Sequence, residues 1–268
     1  MKGFVKTIIA GAVIIGLGVA ILLITLGING WNINVALGNS NFEMKTYNAV
    51  NSVETLKVDF YAGSLEIEFY DGDEVKIEYP ENKKYSAEIN EENGVLSMST
   101  GSRHWYDWFL NWSIINLPAT KISLPADSKV NLDLELNAGS VDVAGGEYGD
   151  TKIHINAGSI EAGAIDCGNL SIELNAGSLD MEKAACSDLK IKMNAGTADI
   201  NRIYCDNIHA KINAGAMNLE VVGSEKEYGI SIKKNAGSCN KSDHHGTHPD
   251  KKITGEINAG SLDISFVD

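Results

Sequence analysis

After residue 130 the chain alternates. Apolar residues at every second position precede a recurring Asn: Leu134 and Leu136, Ile153 and Ile155, Ile172 and Leu174, Ile191 and Met193. The alternation resumes beyond the Asn with Val141 and Val143, Leu179 and Met181, Met217 and Leu219, Leu262 and Ile264. A period of two predicts strands with one buried face. The tetrapeptide Asn-Ala-Gly-Ser or a near copy opens at Asn137, Asn156, Asn175, Asn194, Asn213, Asn235 and Asn258. The first four intervals are 19 residues and the last two are 22 and 23. A divergent copy, Tyr61-Ala62-Gly63-Ser64, stands much earlier. Repetition at a fixed period predicts a stacked architecture, because one unit cannot bury its apolar face alone. The expectation is an all-β chain, a β-solenoid of stacked ~19-residue coils with two short strands per coil. Each coil bends at A-G-S and again at a polar turn such as Cys167-Gly168-Asn169. Asn tolerates left-handed backbone and Gly needs no Cβ there, so a bend accounts for both. Stacked Asn side chains can also hydrogen-bond into a ladder.

Three of the 4 Cys keep the same period, at Cys167, Cys186 and Cys205. They read as buried thiols, and Cys239 occupies a core position. Between residues 51 and 130 shorter alternating stretches run from Thr55 to Phe60, Leu65 to Phe69, Val75 to Tyr79 and Thr120 to Leu124. Asn93-Gly94, flanked by two more stretches, is a hairpin signal. An insertion at 104–112 departs from this pattern. Trp105, Trp108, Phe109 and Trp112 follow helical i, i+3, i+4, i+7 spacing. They suit either a cap over the end of the stack or a tip that contacts a membrane or a partner. The unit after Asn235 carries a loop with Asp243, His244, His245, His248 and Asp250. Imidazole and carboxylate at that spacing are candidate metal ligands, and a solvated polar loop is the other reading.

Ahead of the strands, Ile8–Leu26 is almost wholly apolar, and no charged residue lies between Thr7 and Asn41. Nineteen residues at 1.5 Å rise nearly span a ~30 Å hydrocarbon layer, and no small-residue cleavage site follows. This predicts a short cytoplasmic N-terminus at 1–7, a transmembrane signal-anchor helix at 8–27 and a linker at 28–50. An N-terminal β region at 51–130 and the repeat at 131–268 follow. Lys2 and Lys6 keep the N-terminus cytoplasmic by the positive-inside rule, which places the remainder outside the membrane.

The formal charge of −14 is divided accordingly. Lys2 and Lys6 are the only charges before residue 41, so the 36 acids belong to the external part. Such an acidic surface excludes nucleic acid as a partner, since phosphate binding needs a basic face. One outward column reads Asp142, Glu161, Asp180, Asp199, Asn218, Asn240, Asp263. It suits a solubilising face, or ligation of Ca²⁺, although the Gly-Asp loop of calcium-binding repeats is absent. No nucleophile with a matching base, nucleotide-binding loop or metalloprotease motif is present, so neither an enzyme nor a cofactor is expected.

Taken in series, the hydrophobic N-terminal segment, Tyr61-Ala62-Gly63-Ser64-Leu65-Glu66-Ile67, the strand closed by Leu124-Pro125 and the N-A-G-S units carry a resemblance over roughly residues 50–268. The chain resembles the bacterial β-strand-repeat "putative adhesin" family, also called LiaG-like, itself a domain of unknown function. That resemblance implies a β-solenoid displayed outside a bacterial, Gram-positive membrane with a link to envelope stress, and it supplies no catalytic residues. The expectation is a single-pass membrane protein whose external part binds or scaffolds at the cell envelope, against a wall polymer or an envelope protein. The alternatives are an accessory or sensor protein acting through a membrane partner, and a polysaccharide-processing β-helix enzyme.

Overall fold

Two-residue alternation is realised strand by strand. The computed structural model describes residues 42–82, 85–102 and 117–268, and they are all-β. The candidate membrane helix at 8–27 and the aromatic insertion at 104–112 lie outside the described residues. Among the described residues no helix is long and apolar enough to cross a membrane.

Strand β2 (Thr55–Tyr70) carries the divergent Tyr61-Ala62-Gly63-Ser64 copy and is the first complete unit. It pairs in parallel with β7 (Asn131–Val143), Ala62 against Ala138 and Gly63 against Gly139. Strand β7 pairs with β9 (Thr151–Asp166), and β9 with β10 (Asn169–Ile212), again Gly on Gly and Ser on Ser. Each unit therefore lays its two apolar arms directly on those of the next. Leu134, Ile153, Ile172 and Ile191 form one buried column, and Val141, Ile160 and Leu179 another. Burying a side chain of this size contributes about 1.5–3 kcal/mol.

Short strands close the N-terminal end. They are β1 (Glu43–Asn48), β3 (Lys76–Glu81), β4 (Tyr85–Glu92), β5 (Val95–Ser102) and β6 (Thr120–Pro125). The first arm of β2 is covered by β5, which forms a hairpin with β4. Asn93 (φ 53°) and Gly94 (φ 76°) make the tight turn that the Asn-Gly pair predicts. The second arm of β2 is covered by β6, and β3 and β1 follow antiparallel. The two-residue strand β8 (Gly146–Glu147) pairs with β9.

The far end departs from serial stacking. Strand β11 (Gly215–Val222) completes the unit of Asn213, after which come β12 (Gly229–Cys239) and β13 (Lys252–Val267). The last strand is inserted: β13 pairs with β10 and β11 on one side and with β12 on the other. The unit of Asn235 is therefore outermost, although it precedes the unit of Asn258 in the chain. The longer spacings of 22 and 23 residues supply the chain needed to pass the slot and return.

Glycine, not asparagine, takes the left-handed backbone at the A-G-S bend. Gly139, Gly158, Gly177, Gly196, Gly215 and Gly260 have φ between 120° and 148°, whereas none of the seven Asn has positive φ. A Cβ built on Gly177 would stand 1.7 Å from the carbonyl oxygen of Gly158. Gly177→Ala therefore combines an unfavourable φ with a backbone collision, and we expect a loss of roughly 3 kcal/mol or more in urea unfolding. Removing residues 252–268 tests the strand order. In hydrogen exchange the amides of β12 should lose protection, whereas in a serial stack they would keep their partner in β11.

Candidate binding surface

The bend column is knitted together by amides. Asn156 Nδ2 donates to Asn137 Oδ1 (2.8 Å) and Asn175 Nδ2 to Asn156 Oδ1 (2.7 Å). Asn194 donates to Asn175 in the same sense, and Asn213 to Asn194. Across the inserted strand the series continues, Asn258 to Asn213 (2.7 Å) and Asn235 to Asn258 (2.6 Å). All six bonds run toward the N-terminal end of the stack, so the dipoles align and each bond polarises the next. All seven predicted Asn are brought together, with their amides spent on one another. His154 Nε2 lies 3.1 Å from Asn156 Oδ1 beside the column.

A charged row runs alongside. Glu173 accepts from Lys192 Nζ at 2.5 Å and faces His154 at 3.7 Å. The Lys192 ammonium beside it holds the Glu173 carboxyl below the usual carboxylate range. On the outward column Asp142, Glu161, Asp180, Asn218 and Asp263 stand exposed, with Asp199 half-buried. Register keeps them in line, Asp142 opposite Glu161, Glu161 opposite Asp180 and Asn218 opposite Asp263. Asn218 Nδ2 donates to Asp199 Oδ1 at 2.5 Å. Near Ile200, Asn218, Glu220 and Asp263 the surface dips into a hollow of about 210 Å³. The column presents spaced carboxylates and amides on a flat face, which accepts and donates hydrogen bonds without enclosing a small molecule.

The candidate metal ligands are not assembled. Asp243 Oδ1 accepts from the backbone N–H of Ile232 (2.8 Å), and His244 forms a two-way backbone bridge with Ile230 (2.9 and 3.0 Å). Thr247 N–H donates to Lys226 O and His248 N–H to Glu227 O. His245 and Asp250 are drawn into no shared site, and no three His, Cys, Asp or Glu side chains among the described residues come together as a ligand set. The loop instead covers the start of the outermost strand. It is pinned by Lys241 on Glu225 and Lys251 on Glu227, both at 2.7 Å, with the same lysines over the rings of Phe266 and Tyr228. Farther along that edge Lys233 and Lys234 are exposed, and charge there discourages a second sheet from adding. The extra residues of this unit protect an edge.

Two features escaped the sequence reading. A cleft of about 450 Å³ lies between the 49–53, 70–75 and 125–128 segments, with Asp71, Asp73, Glu74 and Asp127 at its rim. Its 50–51 wall is held by the Glu91 carboxylate, which accepts from Val50 N–H (2.9 Å), Asn51 N–H (2.6 Å) and the Tyr47 hydroxyl (3.0 Å). Those donors, the Val50 amide foremost, lower the Glu91 carboxyl from its ordinary value. The second feature is Arg202, left-handed at φ 49° where the strand register shifts, with its guanidinium donating to Tyr204. Neither carries a periodic or motif signal in the sequence.

Residues 53–266 match a family model described as Toastrack DUF4097. The chain belongs to the Toastrack DUF4097 family. Among solved structures this Toastrack chain is similar to a protein of Bacteroides fragilis described as a putative adhesin. That match has 13% identity over 84% of this chain and 98% of that one, with a TM-score of 0.43. It is also similar to a Parabacteroides distasonis protein described as a putative lipid binding protein, with 14% identity over 86% and 98% and a TM-score of 0.40. A Clostridium sporogenes protein described as a putative cell adhesion protein shows 12% identity over 85% and 100%, with a TM-score of 0.33. No curated protein matches the chain.

Interior and terminal positions of the amide column should differ. Asn175→Ala removes two half-buried amide bonds, to Asn156 and from Asn194, a loss of about 1–3 kcal/mol in all. Asn235→Ala, on the exposed outermost strand, should cost under about 1 kcal/mol. Equilibrium unfolding of the two variants side by side checks the difference.

Proposed function

We propose that this Toastrack chain is a membrane-anchored, extracytoplasmic binding or scaffold module of the bacterial cell envelope, non-enzymatic, and built as a β-solenoid. One observation carries the reading: a flat outward face on which carboxylates and amides recur at the spacing of the repeat, joined to an acidic surface. A repeating ligand suits a repeating surface, because each added unit contributes the same weak contact and avidity accumulates along the stack. Carboxylates and amides at regular spacing fit the hydroxyls of a wall polymer, and charge-assisted bonds of that kind are the stronger class.

The anchor rests on sequence. The uncharged apolar run 8–26 is long enough for a span, and Lys2 and Lys6 retain its N-terminal flank inside. That leaves the acidic repeat on the outer side, with the Trp105–Trp112 aromatics as its contact to the membrane or an envelope protein.

Residues 42–268, which hold the whole buried core of the described chain, should co-sediment with isolated cell-wall polymer in a saturable manner. The double variant Glu161→Ala, Asp180→Ala should weaken that binding about tenfold, the equivalent of roughly 1.4 kcal/mol. Retention of membrane proteins alone, with no wall binding, would replace the adhesion reading by the accessory or sensor role.

A further inference from the structure

The second turn of the repeat holds a column that the binding surface does not use. Nineteen residues separate Tyr148, Cys167, Cys186 and Cys205, so one ring and three thiols share a position in successive units. Tyr148 is fully buried at one end, and its hydroxyl donates to Ala144 O at 2.6 Å. At the other end the Tyr228 hydroxyl donates to the Cys205 carbonyl at 2.9 Å. Between these rings Cys167 and Cys205 are buried and Cys186 is half-buried. Cys186 Sγ lies 3.5 Å from Cys205 Sγ, and all three thiols are free.

Spacing restricts which sulfurs can join. Parallel neighbours stand about 4.8 Å apart, inside the 4.4–6.8 Å range of Cα separations that disulfides tolerate. Cys167 and Cys205 are two units apart, about 9.6 Å, and cannot be bridged. We propose that this column is a peroxide-responsive modification site in which Cys186 is the obligatory member of a disulfide with Cys205 or, alternatively, Cys167. The third thiol is always left over, adjacent to the bond.

The chemistry follows from where the proton sits. The Cys186 thiol donates toward Cys205 Sγ, and its hydrogen bonding holds Cys205, and Cys167 on its other side, below the ordinary thiol range and pushes Cys186 up. The Cys205 thiolate attacks one oxygen of hydrogen peroxide, the O–O bond breaks, and hydroxide leaves a sulfenic acid. Hydroxide takes the Cys186 proton, forming water. The Cys186 thiolate then attacks Cys205 Sγ, the S–O bond breaks, and a second hydroxide departs. Two sulfurs lose two electrons and one peroxide gains them. The bond staples two neighbouring units at their second turn. Because Cys167 sits beside it, the Cys167 thiolate can attack Cys186 Sγ, which moves the bond one step and releases Cys205 as thiolate.

Peroxide treatment of the full chain, followed by alkylation and mass analysis, tests the assignment. The wild type should lose 2 of its 4 alkylatable thiols, with a peptide joining Cys186 to Cys205 as the main product. Cys205→Ser should shift the bond to Cys167 and Cys186, and Cys186→Ser should form no internal bond among the remaining thiols. An internal bond in Cys186→Ser, a Cys167–Cys205 bond in any form, or oxidation that halts at sulfinic acid would overturn the proposal. If Cys186→Ser fails to fold, the wild-type and Cys205→Ser peptide maps decide by themselves.

Discussion

Close approach of backbone to backbone at one glycine column governs the whole molecule. At the bends of Gly139, Gly158, Gly177, Gly196, Gly215 and Gly260 the glycine faces the carbonyl of the neighbouring unit's glycine, with no room for a Cβ. That contact fixes the spacing of the units, and the spacing fixes everything that depends on like lying over like. Apolar arms meet apolar arms, amides reach amides, and thiols fall within bonding distance of thiols. A single residue inserted between two bends would turn one arm's buried set outward, because side chains alternate with a period of two. Constant length is thus a requirement of the fold, and the units that depart from 19 residues are those where the chain does something else.

Much of this was legible in the sequence. Alternation around each Asn marked the arms, the 19-residue interval marked the parallel pairing, and the Leu65 and Thr120 stretches marked strands that do pair. Asn93-Gly94 marked its hairpin correctly because two residues decide that geometry. The interior of the stack is readable since every interior unit has the same surroundings.

The ends are where reading from sequence stopped short, and for a physical reason. An end unit lacks one neighbour, so its residues answer to edge protection and to topology, neither of which is periodic. Asp243, His244 and His248 have the composition of a metal site. Asp243 accepts from Ile232 N–H, and the His244 and His248 backbones pair with Ile230 and Glu227, because an open edge needs partners more than a loop needs an ion. The order of β12 and β13 was equally hidden. Both carry the same A-G-S signature, and local sequence does not state which of two similar strands lies inside. Of the two roles that the sequence offers the Asn, the ladder is present and the left-handed bend is not, since its conformation is ordinary and its amide does the linking.

The inserted position of β13 has a consequence for how the protein is made. A chain emerges from its N-terminus onward, so a serial stack could complete each layer as it appeared. Here the slot between β11 and β12 must stay open, or be vacated, until β13 has emerged. The stack is closed by a strand made after the one that lies outside it, like an arch by its keystone. A chain cut short before β13 would leave the facing edges of β11 and β12 unsatisfied, and such edges invite mispairing and proteolysis.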